Sequence, residues 1–189
     1  MNDPGFFILP EDERTLRGWK KGGHGNINLN NAIIESSNTF FFSLAYKSDI
    51  NELIEYLSYF GFGKNVCIDC FLPDKGLLPS PDWKMNYLNF GWVKGDTVNI
   101  GVGQGYMSAT PIQLAYYAAL LANKGTLNEF SFVQDGEAAS KSTLIATNIN
   151  DNDWDKIHRS MIGVIESPKG TAKRLSLIHI SEPTRPERI

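Results

Sequence analysis

The chain has 189 residues, of which 42% are hydrophobic and 12% aromatic, and its formal net charge is -3. This length and composition are those of an ordinary globular protein with a sizeable core. The small net charge and the lack of a basic stripe give no reason to expect a nucleic-acid partner. No apolar run reaches the length that spans a bilayer.

The first part of the chain predicts an irregular segment followed by three helices. Residues 1–26 are expected to be irregular, because prolines and glycines interrupt every periodic pattern. From Leu29, apolar residues recur three and four positions apart, which predicts two helices with Ser36–Asn38 at or near their junction. Residues 51–60 predict a short amphipathic helix that ends at Gly61.

The second part contains the clearest predicted element, a helix over residues 110–124. Thr110 is its cap, a proline takes the first helical position, and Gln113 completes a capping box. Residues 126–150 predict a loose hairpin or loop, and a last helix is predicted over residues 151–165. The inner face of this last helix is expected to carry Trp154, Ile157, Met161 and Ile165.

The two cysteines of the chain form a Cys-x-x-Cys pair, Cys67 and Cys70. Such a pair is found in redox and zinc sites. A redox pair usually lies where a strand meets a helix, however, and a zinc site needs two more ligands. The neighbouring segments Gly61–Gly63 and Phe71–Pro73 predict a loop or short strand. This favours a structural role over a redox or metal-binding one.

The most informative segment is Glu35–Phe41, in which Ser36-Ser37-Asn38 is a Ser-x-Asn triplet that opens onto an aromatic run. Taken alone, such a triplet is typical of a helix cap or turn. Four other segments give it context: Trp19–Gly25, Gly95–Thr97, Gly101–Tyr106 and Ala109–Ala115. In this order and spacing, the segments resemble the transpeptidase domain of the penicillin-binding protein 2 family, the class B enzymes of cell-wall elongation. The resemblance runs from about Asp3 to Arg174.

This resemblance implies the α/β penicillin-binding and β-lactamase-like transpeptidase fold, in which an antiparallel sheet packs against a helical lobe. The outer strands of that sheet come from before the nucleophile and after the Lys-[Ser/Thr]-Gly motif, and neither region is in this sequence. We therefore expect a chain that is mostly α, the helical lobe with most of the central sheet missing. An exposed apolar face and marginal stability should follow.

Enzymes of this family use three motifs, which are Ser-x-x-Lys with the nucleophile, Ser-x-Asn, and Lys-[Ser/Thr]-Gly. The resemblance implies a serine-type D,D-transpeptidase that cross-links peptidoglycan stem peptides through an acyl-enzyme and binds β-lactams, without a cofactor. It assigns catalytic roles to Ser36 and Asn38. The Ser36 hydroxyl can pass a proton, and the Asn38 amide can bind the substrate backbone and the catalytic lysine.

The other two motifs are missing from the sequence. No Ser-x-x-Lys in the right setting precedes Ser36, and Lys169-Gly170-Thr171 is not Lys-[Ser/Thr]-Gly. In the family, a Gly-Thr-Ala turn of this kind precedes the true motif. We therefore expect that this chain, taken alone, does not acylate.

Some members of the family hold a structural zinc ion through two Asp, one His and one Cys. Against that pattern Asp3 and His24 match, whereas Gly18 and Ser37 stand in place of the other Asp and the Cys. Two ligands are too few for a closed site. We expect no metal here, and we expect His24 to form a local hydrogen bond in its glycine-rich turn.

Both ends predict that the chain is a fragment. Residues 175–189 resemble the in-frame translation of a transposase adapter used in sequencing libraries, so residues 1–174 are the predicted native domain. Met1 is then an internal methionine. Full-length relatives carry an N-terminal membrane anchor. The resemblance therefore implies a periplasmic protein anchored in the inner membrane, working beside a membrane-embedded glycan polymerase.

Three alternatives stay open at this point. The first is the division-specific class B paralogue, although Trp19–Gly25 and Gly103–Tyr106 favour the elongation type. The second is a catalytically dead β-lactam sensor or scaffold of the same fold. The third is a standalone helical binding module, which predicts a complete core and cooperative thermal unfolding of residues 1–174.

Overall fold

Helices dominate the described part of the protein. The computed structural model describes residues 1–11, 13–67, 69, 74–128, 142–144 and 149–175. The chain divides into two units, one made of Met1–Phe40 with Asn152–Ile189 and the other of Phe41–Asp151. The prediction of a mostly α chain is confirmed.

The start of the first unit contains four short strands. β1 (Asn2–Asp3) pairs antiparallel with β4 (Gly25–Asn26), and β2 (Phe6–Ile8) pairs antiparallel with β3 (Thr15–Arg17). The prediction of an irregular segment was therefore wrong in detail. Strands of two or three residues are too short to show an alternating pattern, yet their backbone groups still pair.

The predicted pair of helices around the Ser-x-Asn triplet is confirmed. α1 (Leu29–Ile34) is capped by Asn28, whose side chain accepts a hydrogen bond from the Asn31 N–H at 2.9 Å. α2 (Asn38–Lys47) follows after a three-residue junction and continues into the second unit. Ala32 of α1 is fully buried, which fixes the face that α1 turns inward.

The predicted last helix is α7 (Asp151–Glu166), but its buried face differs from the predicted one. Trp154 is 3% exposed, as expected, whereas Met161 and Ile165 are 37% and 40% exposed. A polar residue is buried instead, because the Ser160 hydroxyl donates a hydrogen bond to Asn30 in α1. The periodic pattern could not reveal this polar contact.

The second unit holds the remaining helices and one strand pair. Two of them, α3 (Ile50–Tyr59) and α6 (Pro111–Ala122), confirm the predicted helices. Two others, α4 (Pro81–Leu88) and α5 (Lys94–Ile100), were not predicted, because the first carries no apolar stripe and the second is a single short segment. The strand pair consists of the antiparallel strands β5 (Thr126–Asn128) and β6 (Ser142–Leu144).

The capping box of α6 is confirmed and has a further use. The Thr110 hydroxyl accepts from the Gln113 N–H at 3.2 Å, and the Thr110 N–H donates to Gln113 Oε1 at 2.9 Å. The Gln113 side chain is fully buried, and its Nε2 also donates to three backbone carbonyls. These belong to Gly61, Lys64 and Lys75, at 3.0, 3.0 and 2.8 Å. One glutamine therefore ties the loop before α4 to the start of α6.

Several sequence predictions concern residues beyond the described ones. Cys67 is disulfide-bonded and buried, a bond that the sequence analysis did not predict, and the other cysteine of the chain, Cys70, lies outside the described residues. The segment 175–189 is described only at its first residue. Across the described ranges, we find no helix that combines the length and the apolarity needed to cross a membrane.

Candidate active site at the α1–α2 junction

Ser36 lies between the two helices in an unusual backbone conformation. α1 ends at Ile34, Glu35 is its C-cap, and α2 begins at Asn38. The φ angle of Ser36 is +51°, in the left-handed region that residues with a Cβ seldom adopt. Strain of this kind is kept where the surroundings enforce it, and it concentrates at functional sites.

The Ser36 hydroxyl is exposed and has a remote partner. Its Oγ lies 2.8 Å from Oγ1 of Thr171, a residue 135 positions further along the chain. The Thr171 N–H also donates to the carbonyl of Ile34 at 3.3 Å. Thr171 thus contacts the junction through both its side chain and its backbone.

A tryptophan side chain holds the junction from a second direction. The indole Nε1 of Trp19 donates to the carbonyls of Glu35 and Ser36, at 3.1 and 3.0 Å. Carbonyls at a helix C-terminus have no partner within the helix. Trp19 satisfies two carbonyls just past that end, and it fixes the peptide that bears Ser36.

The Glu35 carboxylate lies between two lysines. The side chain of Glu35 is 10% exposed, and its two oxygens each lie 3.7 Å from a lysine Nζ, one from Lys20 and the other from Lys169. Both lysines are more exposed than the carboxylate. The two ion pairs therefore connect the junction to the turn that contains Lys20 and to the turn that contains Lys169.

Ser37 points into the protein, in contrast to Ser36. It is fully buried, its hydroxyl donates to Asp3 Oδ2 at 2.6 Å, and it accepts from the Phe40 N–H at 3.2 Å. The second of these bonds is the one that an N-terminal hydroxyl makes at the start of a helix. Ser37 therefore anchors α2 to the first strand and leaves Ser36 free to face outward.

Asp3 is the centre of a buried polar network. Its carboxylate accepts from Ser37, from the Gly5 N–H at 2.7 Å, and from His24 Nδ1 at 2.6 Å. Burial acts to raise the pKa of Asp3, but the hydrogen bonds from Ser37, His24 and Gly5 outweigh it, so the pKa lies below its ordinary value. The expected local bond of His24 was wrong, since its partner is 21 positions away.

The residues around Asp3 do not fit a structural zinc ion. Asp3 and His24 bond to each other through Oδ2 and Nδ1, and Ser37 offers a hydroxyl where a thiolate would be needed. Within the described ranges no group of three or more His, Cys, Asp or Glu residues could hold a metal ion. The network stabilises the turn through hydrogen bonds instead.

Asn38 is the first residue of α2 and is half-buried. The two predicted catalytic residues therefore flank a buried serine within one turn of chain. Their assigned roles stay predictions at this level, because the structure holds no substrate.

Three residues of this site were missed in the sequence analysis: Thr171, Glu35 and Trp19. Trp19 and Glu35 belong to the segments Trp19–Gly25 and Glu35–Phe41, but their positions in the sequence did not predict contacts with the Ser36 peptide. Thr171 was set aside because its turn is not Lys-[Ser/Thr]-Gly. A contact across 135 residues leaves no signal in the local pattern of one sequence.

The sequence matches the family described as the penicillin binding protein transpeptidase domain over residues 2–182. The match covers nearly the whole chain, and its span contains the junction, the Asp3 network and the Thr171 turn. The chain therefore belongs to the penicillin-binding protein transpeptidase family.

Within that family, curated relatives point to one type. The peptidoglycan D,D-transpeptidase MrdA of Acinetobacter baumannii is 37% identical over 191 residues, covering 97% of this chain and 28% of that protein. MrdA of Escherichia coli is 35% identical over 179 residues, covering 91% of this chain and 28% of that protein. The chain thus spans somewhat over a quarter of the length of these relatives.

Solved structures agree with this type. Penicillin-binding protein 2 of Pseudomonas aeruginosa, in complex with WCK 5153, matches with a TM-score of 0.85 and 36% identity, covering 94% of this chain and 41% of that one. Penicillin-binding protein 2 of Helicobacter pylori, in complex with MreC, matches with a TM-score of 0.83 and 30% identity, covering 92% and 32%. The resemblance to the elongation-type enzymes, penicillin-binding protein 2 or MrdA, is confirmed.

Proposed function

We propose that this chain contributes the Ser-x-Asn part of the active site of a serine-type D,D-transpeptidase that cross-links peptidoglycan stem peptides. The observation that carries the proposal is the Ser36 hydroxyl, which is exposed although its backbone is held in a strained, left-handed conformation. A serine used only as a helix cap would bond to the helix it starts, as Ser37 does here.

The proposed role of Ser36 is to pass a proton during acylation. A hydroxyl has one proton to donate and two lone pairs to accept with. One of these valences is used on Thr171. The others face solvent, where they can bond to the catalytic lysine and the leaving amine, as general acid–base catalysis requires.

The proposed role of Asn38 is to hold the substrate. Its amide offers both a donor and an acceptor, which suits the backbone of a stem peptide and the catalytic lysine. Its place at the first position of α2 gives it a fixed backbone. A side chain on a rigid element positions a substrate better than one on a loop.

We propose that the complete protein, but not this chain alone, is acylated by stem peptides and by β-lactams. The sequence contains no Ser-x-x-Lys and no Lys-[Ser/Thr]-Gly. Without the nucleophile, Ser36 and Asn38 have nothing to assist. On this proposal residues 1–174 are a partial transpeptidase domain and residues 175–189 are not native.

The setting we propose is the periplasm, with the complete protein anchored in the inner membrane and working beside a membrane-embedded glycan polymerase. Support comes from the family relation and from the Helicobacter pylori relative, whose structure is a complex with MreC. The proposed reaction uses neither a cofactor nor a nucleic-acid partner.

The test is the rate at which a fluorescent penicillin acylates the complete protein encoded at the source locus. Ser36→Ala should lower the second-order rate constant by roughly 100-fold, the lower end of what general acid–base groups contribute. Asn38→Ala should lower it as well. Ser43→Ala, at a serine of α2, is the matched control and should leave the rate unchanged.

Two outcomes would contradict the proposed function. A Ser36→Ala variant that is acylated at the normal rate would remove Ser36 from the reaction and overturn the proposal. Normal acylation without cross-linking of stem peptides would favour the catalytically dead β-lactam sensor of the same fold.

A further inference from the structure

We infer that Thr171 is a positioning residue for the Ser36 hydroxyl, and that the Ser167–Thr171 turn serves to deliver it. This inference rests on the proposed role of Ser36. It adds a residue to the site that lies outside all three motifs of the family, and it gives the Lys169-Gly170-Thr171 segment a function of its own.

The geometry of the turn is fixed by its glycine. A Cβ added to Gly170 would lie 2.3 Å from the carbonyl oxygen of Val164 and 2.7 Å from that of Gly163, which is closer than any real contact. The turn therefore folds tightly against the end of α7. The Ala172 N–H donates to the Val164 carbonyl at 3.0 Å and holds the turn from its other side.

The turn is also held against the junction at three points. The Thr171 N–H donates to the Ile34 carbonyl, Lys169 Nζ lies 3.7 Å from the Glu35 carboxylate, and the Thr171 hydroxyl lies 2.8 Å from Ser36. The first two contacts involve the end of α1 and its cap. The third contacts the exposed hydroxyl of the Ser-x-Asn triplet, so it bears directly on the candidate site.

The effect on Ser36 follows from the valences of a hydroxyl. A free serine hydroxyl rotates among three staggered positions. The bond to Thr171 selects the position of Oγ and occupies one valence on the turn side. Because Ser36 is exposed, the remaining valences are open to a reacting group.

The experiment is a double-mutant cycle in the complete protein, with the acylation rate constant for a fluorescent penicillin as the readout. Thr171→Val keeps the shape but removes the hydroxyl, and it should lower the rate about five- to tenfold, the value of one hydrogen bond. Thr171→Ser should restore most of the rate. The matched control is Thr15→Val, at an exposed threonine in β3.

The decisive variant combines Thr171→Val with Ser36→Ala. If Thr171 acts through Ser36, the double variant should be no slower than Ser36→Ala alone, because no hydroxyl is left to position. Multiplied effects, or a slow Thr171→Ser variant, would show a structural role only and overturn the inference. Melting temperatures measured alongside identify any variant that fails to fold, in which case the Thr171→Ser rate decides.

Failure of the inference and failure of the proposed function look different. A slow Ser36→Ala variant with a normal Thr171→Val variant would overturn the inference alone. A normal Ser36→Ala variant would overturn the proposed function, and the inference with it.

Discussion

The two units of this protein each contain a cluster of polar side chains, and the clusters differ in what they leave exposed. At the α1–α2 junction, buried Ser37 and Asp3 support a serine whose hydroxyl faces solvent. In the second unit, buried Lys84 bonds to Asp96 at 2.6 Å, and buried Gln113 bonds to three carbonyls. In the second unit, the Lys84 ammonium and the Gln113 amide thus each bond to protein groups, whereas the Ser36 hydroxyl is exposed.

The comparison is sharpest between Thr110 and Ser36. The Thr110 hydroxyl caps α6 and bonds to Gln113, a residue in the first turn of the helix that it caps. The Ser36 hydroxyl lies just before a helix as well, but it bonds to a residue 135 positions away. A hydroxyl that serves its own helix is part of the architecture, whereas one held from afar in a strained backbone is a candidate for chemistry.

The largest expected effect is a loss of stability in the second unit, at Gln113. Gln113→Leu should lower the free energy of unfolding by about 4 kcal/mol, because it removes the side-chain partner of three backbone carbonyls and of the Thr110 N–H. Urea titration followed by circular dichroism measures this change. Gln104→Leu, at an exposed glutamine, is the control and should change stability by less than about 0.5 kcal/mol. A loss of stability at Gln113 no larger than that of the control would show that the buried Gln113 bonds do not stabilise the second unit.

The second effect concerns the support beneath the candidate site. Because its native pKa is lowered, Asp3 contributes stability that is complete above the unfolded pKa of about 3.9 and is lost as the pH falls through the lowered native value. Asp3→Asn cannot titrate. The stability difference between the parent and Asp3→Asn should thus be constant from about pH 6 to 5 and shrink below about pH 4.

Unfolding titrations across that pH range provide the check. A difference that stays constant down to pH 3 would show that the pKa of Asp3 is the same in the native and unfolded protein, and the network would need another source of stability. His24 bonds to the same carboxylate. His24→Gln therefore tests how much of the pH dependence comes from this one hydrogen bond.

The smallest expected effect is a stability difference between two variants of Ser36, and it distinguishes backbone strain from the role of the hydroxyl. Neither Ser36→Ala nor Ser36→Gly has a hydroxyl, but only glycine adopts a φ of +51° without strain. Ser36→Gly should therefore be about 1 kcal/mol more stable than Ser36→Ala, while both are equally slow in acylation. Equal stability of the two variants would mean that the junction is not strained.

Much of the helical framework could be predicted from the sequence. The pattern around Leu29, the capping box at Thr110 and the acidic start of the last helix are local signals, and the corresponding helices are present. Helix α4 was missed because it lacks an apolar stripe, and α5 because it is a single short segment of seven residues. Their signals were small ones, a Ser80-Pro81 start and the Asp96 side chain that bonds to the Val93 N–H.

The candidate site was only partly predictable. The resemblance supplied Ser36 and Asn38, but it could not supply the side chains that hold them. Trp19 and Thr171 lie 17 and 135 positions from Ser36 along the chain, and only the fold brings them to the junction. The hydrogen bond of His24 to Asp3 was missed for the same reason.

The central claim is that Ser36 assists a nucleophile rather than being one. The most direct test is to treat the complete protein with a β-lactam and to find the acylated residue by mass spectrometry of its peptides. We predict an adduct on a serine that lies outside residues 1–174 and is followed three residues later by a lysine, with Ser36 unmodified. An adduct on Ser36, or no adduct on a folded protein, would contradict it.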